Sequence, residues 1–181
     1  QKAIKNNITV HFEEYSVRSN KWFEVSAFAS DNGLSVYFKD VTDKKTIEER
    51  IKSERNLLRT LIDNLPDTIY VKDIDARKII SNKNDYNFIG FDHEEDVLGK
   101  TDLELFKDET ARTGYNHDIE IIKAGKSLVN YEQHIIKNDG SPMWLLTTKV
   151  PLKNNENKII GLLGIGRDIT GIKDAQKRIK N

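Results

Sequence analysis

The chain opens on an alternation of apolar and polar residues, Ile8-Thr-Val-His-Phe-Glu-Glu-Tyr15, the period of a half-buried strand. Two more strand-forming runs follow, Trp22-Phe-Glu-Val-Ser-Ala-Phe28 and Leu34–Phe38, set off by turn residues at Arg18-Ser-Asn20 and Asp31-Asn-Gly33. Three consecutive strands with short turns predict an antiparallel meander. Beyond it the period changes. Ile47, Ile51, Leu58, Leu61 and Leu65 fall at heptad spacing, with Glu54 in the one missing core position, as in a helix that pairs along one seam. Thr46-Ile-Glu-Glu49 reads as a capping box at its start, and Pro66 ends it. A helix over residues 46–65 spans roughly 30 Å and acts as a rigid connector. Ile47, Ile51, Leu58 and Leu61 are the candidate dimer seam, widened by Leu57 and Ile62.

Residues 67–73 and 77–82 predict a hairpin around Asp73-Ile-Asp75. Residues 83–106 hold only short helical pieces, broken at Gly90 and Gly99. A longer helix is predicted from Glu109 to Ala124, ended by Gly125, with Tyr115, Ile119 and Ile122 on one face. Three strands complete the pattern at about 127–137, 143–152 and 158–168, with turns at Asn138-Asp-Gly-Ser141 and Asn154-Asn-Glu-Asn157. Ile172, Ala175 and Ile179 then begin another amphipathic helix.

The chain repeats itself. Gly33-Leu-Ser-Val-Tyr-Phe-Lys-Asp-Val-Thr42 is answered by Gly161-Leu-Leu-Gly-Ile-Gly-Arg-Asp-Ile-Thr170, and the pairs Gly33/Gly161, Asp40/Asp168, Thr42/Thr170 and Lys45/Lys173 share one offset of 128 residues. Phe12-Glu13 matches Tyr131-Glu132, and Trp22 matches Trp144. The first copy holds only the last three strands of the second.

Composition narrows the chemistry. With 29 basic and 29 acidic residues there is no clustered positive charge for nucleic acid or an anionic membrane. Cysteine is absent, which excludes disulfides, thiolate metal sites and cysteine nucleophiles. No apolar run is long enough to span a membrane, and no secretory signal is present, so the expected location is cytoplasmic, without direct membrane contact. No His/Asp/Glu grouping has metal-ligand spacing, and no phosphate loop or kinase-core motif occurs. The expectation is a non-enzymatic region with neither catalytic residues nor a metal.

Asn64-Leu-Pro-Asp67, Leu98-Gly-Lys-Thr-Asp102, Leu105-Phe106, Ala124-Gly125, Asp139-Gly140, Trp144 and Gly164-Ile-Gly-Arg-Asp-Ile-Thr170 stand in the order and spacing of a PAS sensor domain, which the chain resembles over almost its whole length. The resemblance implies an α+β fold. A five-stranded antiparallel sheet cups a small cavity, with short helices and one long helix on one face. A long connector helix and a three-stranded half domain precede it. The expected organisation is the C-terminal half of a first PAS domain (1–45), a connector helix (46–66), a complete second PAS domain (67–170) and the start of an output helix (171–181). Roughly forty residues rarely fold unaided, so the half domain requires completion by further chain or by a second copy.

The cavity is the remaining candidate for chemistry. If Trp144, Leu146, Thr148 and Val150 share the inward face of their strand, Lys149 points outward, the cheaper arrangement for a charge. Ile69, Val71, Phe88, Ile119, Tyr131, Gln133, Leu146 and Thr148 are then the ligand-pocket candidates, although the same residues could simply fill a solid core. Lys137 and Lys149 fall near a turn or on the outward face, and Arg167 reads as a surface residue, which favours an uncharged or weakly polar ligand. No resident cofactor is expected; a flavin adduct of the photosensory type requires a cysteine. Haem-binding PAS domains carry their iron ligand on the long helix, where His117 lies one turn too late, in the polar run Asn116-His117-Asp118. Asp40, Thr42, Asp168 and Thr170 stand at strand-to-helix junctions, where short acceptor side chains can hold the free amides of the emerging helix and couple pocket to output. The favoured reading is a sensory fragment of a larger signal-transduction protein, with a histidine kinase as parent. A cyclic-dinucleotide enzyme or a transcriptional regulator could carry the same array. The expected partners are a second copy, through the connector helix and PAS surfaces, and a downstream output domain. The alternatives are a ligand-free dimerisation and spacer module, and a haem-based gas sensor using His117.

Overall fold

The structure, a computed structural model, describes residues 9–30, 33–106, 109–136 and 140–180. The turn residues Asp31-Asn32 and Asn138-Asp139, and Lys137, lie outside the described residues. The chain divides into two compact units, residues 1–58 and 59–181.

The first unit is an antiparallel sheet of β1 (Val10–Ser16), β2 (Lys21–Ser30) and β3 (Gly33–Asp40), in that order. The turn into β2 closes through Asn20, which adopts a left-handed φ of 55°, a conformation asparagine tolerates better than most residues. Val25 is buried, while Phe12, Leu34, Val36, Tyr37 and Phe38 are exposed.

The connector helix α1 (Thr42–Asn64) begins four residues before the capping box at Thr46. Asp40 already accepts the Thr42 amide at 3.0 Å, and the Lys45 amide reaches the Val41 carbonyl at 2.9 Å. Helix is therefore under way when the chain reaches Thr46, whose hydroxyl turns back to the Thr42 carbonyl at 2.9 Å. No residue of α1 is buried; the proposed seam residues Ile47, Ile51, Leu58 and Leu61 all lie exposed, and Glu54 pairs within the helix with Arg50 at 2.9 Å.

The second unit contains β4 (Thr68–Asp73), β5 (Lys78–Ser81), α2 (Lys83–Ile89), a 3-10 turn (Glu94–Asp96), α3 (Asp102–Leu105), α4 (Glu109–Ala124), β6 (Leu128–Ile136), β7 (Pro142–Lys153), β8 (Ile159–Asp168) and α5 (Thr170–Lys180). Its five strands form an antiparallel sheet in the order β5-β4-β8-β7-β6. The β4–β5 turn is tied by Asp73, whose carboxylate accepts the amides of Asp75 and Arg77. Asn82 organises the start of the unit from a fully buried position. It accepts the amides of Ile69 and Asp85 and donates to the carbonyls of Ile62 and Asp67, so one amide side chain joins the end of α1, β4 and the N-terminus of α2. Apolar packing concentrates around Ile89, Val97 and Leu105, and around Ile135, Met143 and Leu145; Phe88 touches both groups.

The phase of two elements differs from the sequence-based expectation. On β7 the buried residues are Met143, Leu145, Thr147 and Lys149, while Trp144, Leu146, Thr148 and Val150 are only half buried. Lys149 therefore points inward. On α4 the buried positions are Ala111, Asp118 and Ile121 rather than the face of Tyr115, Ile119 and Ile122. Both shifts have one cause: Lys149 and Asp118 pair with each other at 2.5 Å, and each makes the other's burial tolerable.

Candidate functional site

A cavity of about 160 Å³ lies within the second unit, bounded by the inward faces of β4, β6, β7 and β8 and by α2, α3 and α4. The phase of β4 points Thr68 and Tyr70 into it; on β7, Leu145, Thr147 and Lys149 take that side. Room is left by Gly164 and Gly166. A Cβ on Gly164 would come 2.2 Å from the Tyr70 ring, and one on Gly166 would come 2.6 Å from the Thr68 hydroxyl oxygen. These strand glycines serve close approach of β4 to β8, not phosphate binding.

Among the ligand-pocket candidates, Phe88, Tyr131 and Gln133 line the cavity, whereas Ile69, Val71, Ile119, Leu146 and Thr148 do not. Val71, Leu146 and Thr148 alternate away from it, on the opposite face of the sheet. Thr148 instead accepts the Asn130 amide at 3.2 Å. His117 is also a lining residue, its ring edge-on to Tyr131 with centroids 5.2 Å apart. The neighbouring Asp118, although it belongs to the polar run Asn116-His117-Asp118, has no exposed surface at all.

What sequence reasoning missed is a buried charge cluster beside the cavity. Lys72 and Asp118 are both 0% exposed. Asp118 receives Lys72 on Oδ2 and Lys149 on Oδ1, each at 2.5 Å. Lys72 also donates to Asp102 at 2.6 Å, and Lys149 to the Gly114 carbonyl at 3.1 Å. Lys78 pairs with Asp85 at 2.6 Å, and the Ser81 hydroxyl donates to the same carboxylate oxygen. Tyr70 passes between the ammonium groups, with Lys78 4.1 Å and Lys72 5.2 Å from its ring centroid. Among the described residues no buried side-chain nitrogen or oxygen lacks a partner.

The environment sets the charge states. Burial raises the Asp102 carboxyl, but the ammonium groups of Lys72 and Lys78 outweigh it and hold the group below the usual carboxylate range. Burial likewise opposes the charge on Lys72, yet Asp102 and Asp118 keep its amine above the ordinary value. At Lys78 burial wins and pushes the amine down, and burial raises the Tyr70 phenol well above its normal value. No cluster of three His, Cys, Asp or Glu side chains among the described residues could hold a metal ion. Arg167, read as a surface residue, forks onto Asp67 at 2.7 Å while remaining 63% exposed.

The second notable arrangement is the strand-to-helix junction, built twice with the same bonds. In the second unit the Ile169 amide donates to the Trp144 carbonyl, the Trp144 amide to the Thr170 hydroxyl, and the Thr170 amide to Asp168, all at 2.8–2.9 Å. One turn on, Lys173 pairs with Glu132 at 2.6 Å and lies 5.2 Å from the Trp144 ring centroid. In the first unit, Val41, Trp22, Thr42 and Asp40 make the corresponding bonds, and Lys45 pairs with Glu13 and sits 5.5 Å from the Trp22 ring centroid. The strand registers agree as well: Phe23 stands opposite Asp40, as Leu145 stands opposite Asp168. The residues that repeat in the sequence are thus the ones that clamp the last strand to the departing helix. Replacing Asp168 by alanine is expected to cost about 1 kcal/mol, the scale of a lost helix-terminal acceptor, in thermal or urea unfolding. An unchanged midpoint would show that the bond contributes nothing.

The match to known sequences falls on this architecture: residues 62–173 fit the profile of the PAS fold. The chain belongs to the PAS family. Its second unit is a mixed α+β sensor domain, a module that in general does not catalyse. The methanogenesis regulatory histidine kinase FilI of Methanothrix harundinacea (strain 6Ac) is 27% identical over 131 residues, which is 72% of this chain and only 14% of FilI. Among solved structures, VqmA bound to DPO aligns over 61% of this chain and 55% of its own, at 27% identity and a TM-score of 0.56. The PAS domain of Bordetella pertussis BvgS shares the fold at 20% identity and a TM-score of 0.56, over 74% of this chain and 98% of its own. The PAS assignment and the relation to FilI give the chain a sensory signalling role. No helix among the described residues is long and apolar enough to cross a membrane.

Proposed function

We propose that the chain is the sensory portion of a larger signal-transduction protein, with a histidine kinase as the favoured parent, and that it relays the state of its cavity through the helix leaving at Thr170. The carrying observation is the junction at Asp168–Thr170. Trp144 and Thr170 bind one another through backbone and hydroxyl, and the adjacent Leu145 and Gly166 line the cavity. A molecule that shifts β7 against β8 therefore acts on the first turn of α5 with no slack between them. The relay is a population shift: occupancy stabilises one arrangement of the junction over another. The similarity to FilI, a regulatory histidine kinase, and to VqmA in its DPO-bound form supports a regulatory protein that responds to a bound ligand. In native mass spectrometry the purified chain is expected to carry a bound small molecule. Its removal should change amide exchange over Thr170–Lys180. A chain without adduct, or exchange in α5 indifferent to its loss, would count against the relay.

A second reading, a dimerisation and spacer module, draws on the exposed stripe of Ile47, Ile51, Leu58 and Leu61. If two copies pair along it, Glu54 lies at the weak point of the seam. Glu54→Leu is then expected to tighten the dimer by roughly tenfold or more in sedimentation equilibrium, and an unmoved dissociation constant argues against the seam. The haem alternative has less support. A cavity of about 160 Å³ is on the scale that accommodates a single benzene ring, well short of a porphyrin, and His117 is engaged edge-on by Tyr131. An absorbance scan near 400 nm tests it directly.

A further inference from the structure

We infer that Arg59, near the end of α1, is a positioning residue that couples the connector helix to the cavity wall through Ser81 and Asp85. The inference rests on the reading of the cavity as the sensory site and gives that site a second connection, on the side of the incoming helix.

How α1 is held decides what it can transmit. Its last residues, from Arg59 on, belong to the second unit, yet no residue of the helix is buried. Polar groups make the attachment. The Arg59 guanidinium forks onto Glu94, Nη1 to Oε1 at 2.9 Å and Nη2 to Oε2 at 2.8 Å, and its Nε donates to Asp63 at 2.9 Å. Asp63 in turn accepts the Lys83 amide at 3.0 Å, at the start of α2. The Arg59 side chain is 36% exposed, and ion pairs at such positions are individually weak. A grip of this kind can be released where a packed core could not.

Ser81 lies between this grip and the cavity. Its carbonyl accepts Arg59 Nη2 at 3.2 Å, and its amide donates to Glu94 Oε1 at 2.8 Å, so the Arg59–Glu94 pair holds the Ser81 backbone from both sides. Its hydroxyl donates at 2.5 Å to Asp85 Oδ2, the oxygen that also receives Lys78 at 2.6 Å. Lys78 and Asp85 both line the cavity. One residue is thus bound to the helix by its backbone and to the cavity wall by its side chain. A turn of α1 that withdraws Arg59 frees the Ser81 backbone, and a looser Ser81 loses its hold on Asp85. Lys78 registers the change, because its buried ammonium depends on what Asp85 offers it. Hydrogen bonds that share a buried carboxylate polarise one another, and such coupling is reciprocal: a molecule that disturbs the Lys78–Asp85 pair acts on the end of α1. Lys149 provides the contrast. It lines the same cavity, but its bonds run to Asp118 and the Gly114 carbonyl, outside this path.

The test uses the whole chain with isotope-labelled lysine and reads the side-chain ammonium resonances by NMR. Arg59→Gln removes the fork and the charge at a partly exposed position. It is expected to shift the Lys78 resonance and to leave Lys149 in place. With Ser81→Ala already introduced, the same substitution should leave Lys78 unmoved, since the bond that carries the effect is gone. In the reverse direction, Ser81→Ala alone is expected to speed amide exchange over Arg59–Asn64 by about fivefold, the scale of one lost hydrogen bond. If Arg59→Gln does not fold, Arg59→Lys keeps the charge without the planar fork, and the same readings apply. Lys78 unmoved by the Arg59 variants, Lys78 and Lys149 shifting together, a Lys78 shift that persists beside Ser81→Ala, or unchanged exchange over Arg59–Asn64 would each overturn the coupling. Any of these leaves the sensory reading standing, because that reading is tested separately by the bound molecule and by exchange in α5.

Discussion

Asp118→Asn is expected to lower the stability of the second unit by roughly 3–5 kcal/mol, the cost of removing one partner from a buried ion pair. Asp118 has no exposed surface and neutralises two ammonium groups at once, Lys72 through Oδ2 and Lys149 through Oδ1. After the substitution Lys72 retains Asp102, but Lys149 keeps only the Gly114 carbonyl, a dipole in place of a charge. The decisive comparison is the double variant Asp118→Leu/Lys149→Met, which removes the charge pair together and leaves Lys72 with Asp102. Replacing both members of a buried pair by apolar side chains is often close to neutral, so the double variant should be more stable than Asp118→Asn in urea unfolding. Equal loss in the two would mean that shape, not charge, governs the site.

The same cluster sets the acid limit. Because the folded Asp102 carboxyl lies below its ordinary value, its contribution is complete above the unfolded value of about 3.9 and is lost as pH falls through the lower folded value. Stability should therefore decline on acidification below about pH 4, and Asp102→Asn should flatten that limb.

Gly164→Ala is the second large effect, a loss of roughly 1–3 kcal/mol from overpacking with partial closure of the cavity. The added methyl would come 2.2 Å from the Tyr70 ring, far inside van der Waals contact. That ring cannot simply swing aside, since Lys78 and Lys72 flank it at 4.1 and 5.2 Å from its centroid. Gly171→Ala provides the contrast. Nothing lies within 4 Å of the methyl it would add, and alanine favours the helix by about 1 kcal/mol over glycine, so α5 should hold or gain stability. If both variants unfold alike, crowding against Tyr70 is not what position 164 requires.

Much of the architecture follows from local rules. The strands of both units, the long connector and the helix before Gly125 were legible because alternation, heptad spacing and turn residues each act within a few neighbours. The junctions were legible for a different reason: the sequence contains them twice, and Asp40 with Thr42 and Asp168 with Thr170 form the same bonds in each copy. One local rule failed by competition. Thr46-Ile-Glu-Glu49 has the form of a helix start, but Asp40 and Thr42 had already supplied one.

The cavity lining was legible only in part. Phe88, Tyr131 and Gln133 face it, while the choice of face on β4 and β7 went the other way, because a strand's two faces are told apart by polarity and a lysine was assigned to water. The sequence by itself determined which segments are strand and helix, and where a strand hands over to a helix, since those are decided by neighbours along the chain. Only the tertiary structure decided that Lys72, Lys78 and Lys149 turn inward. The carboxylates that make this tolerable lie on other elements, 30 to 46 residues away for Lys72 and 31 for Lys149, and an isolated buried charge is prohibitive until folding brings its partner within hydrogen-bonding distance.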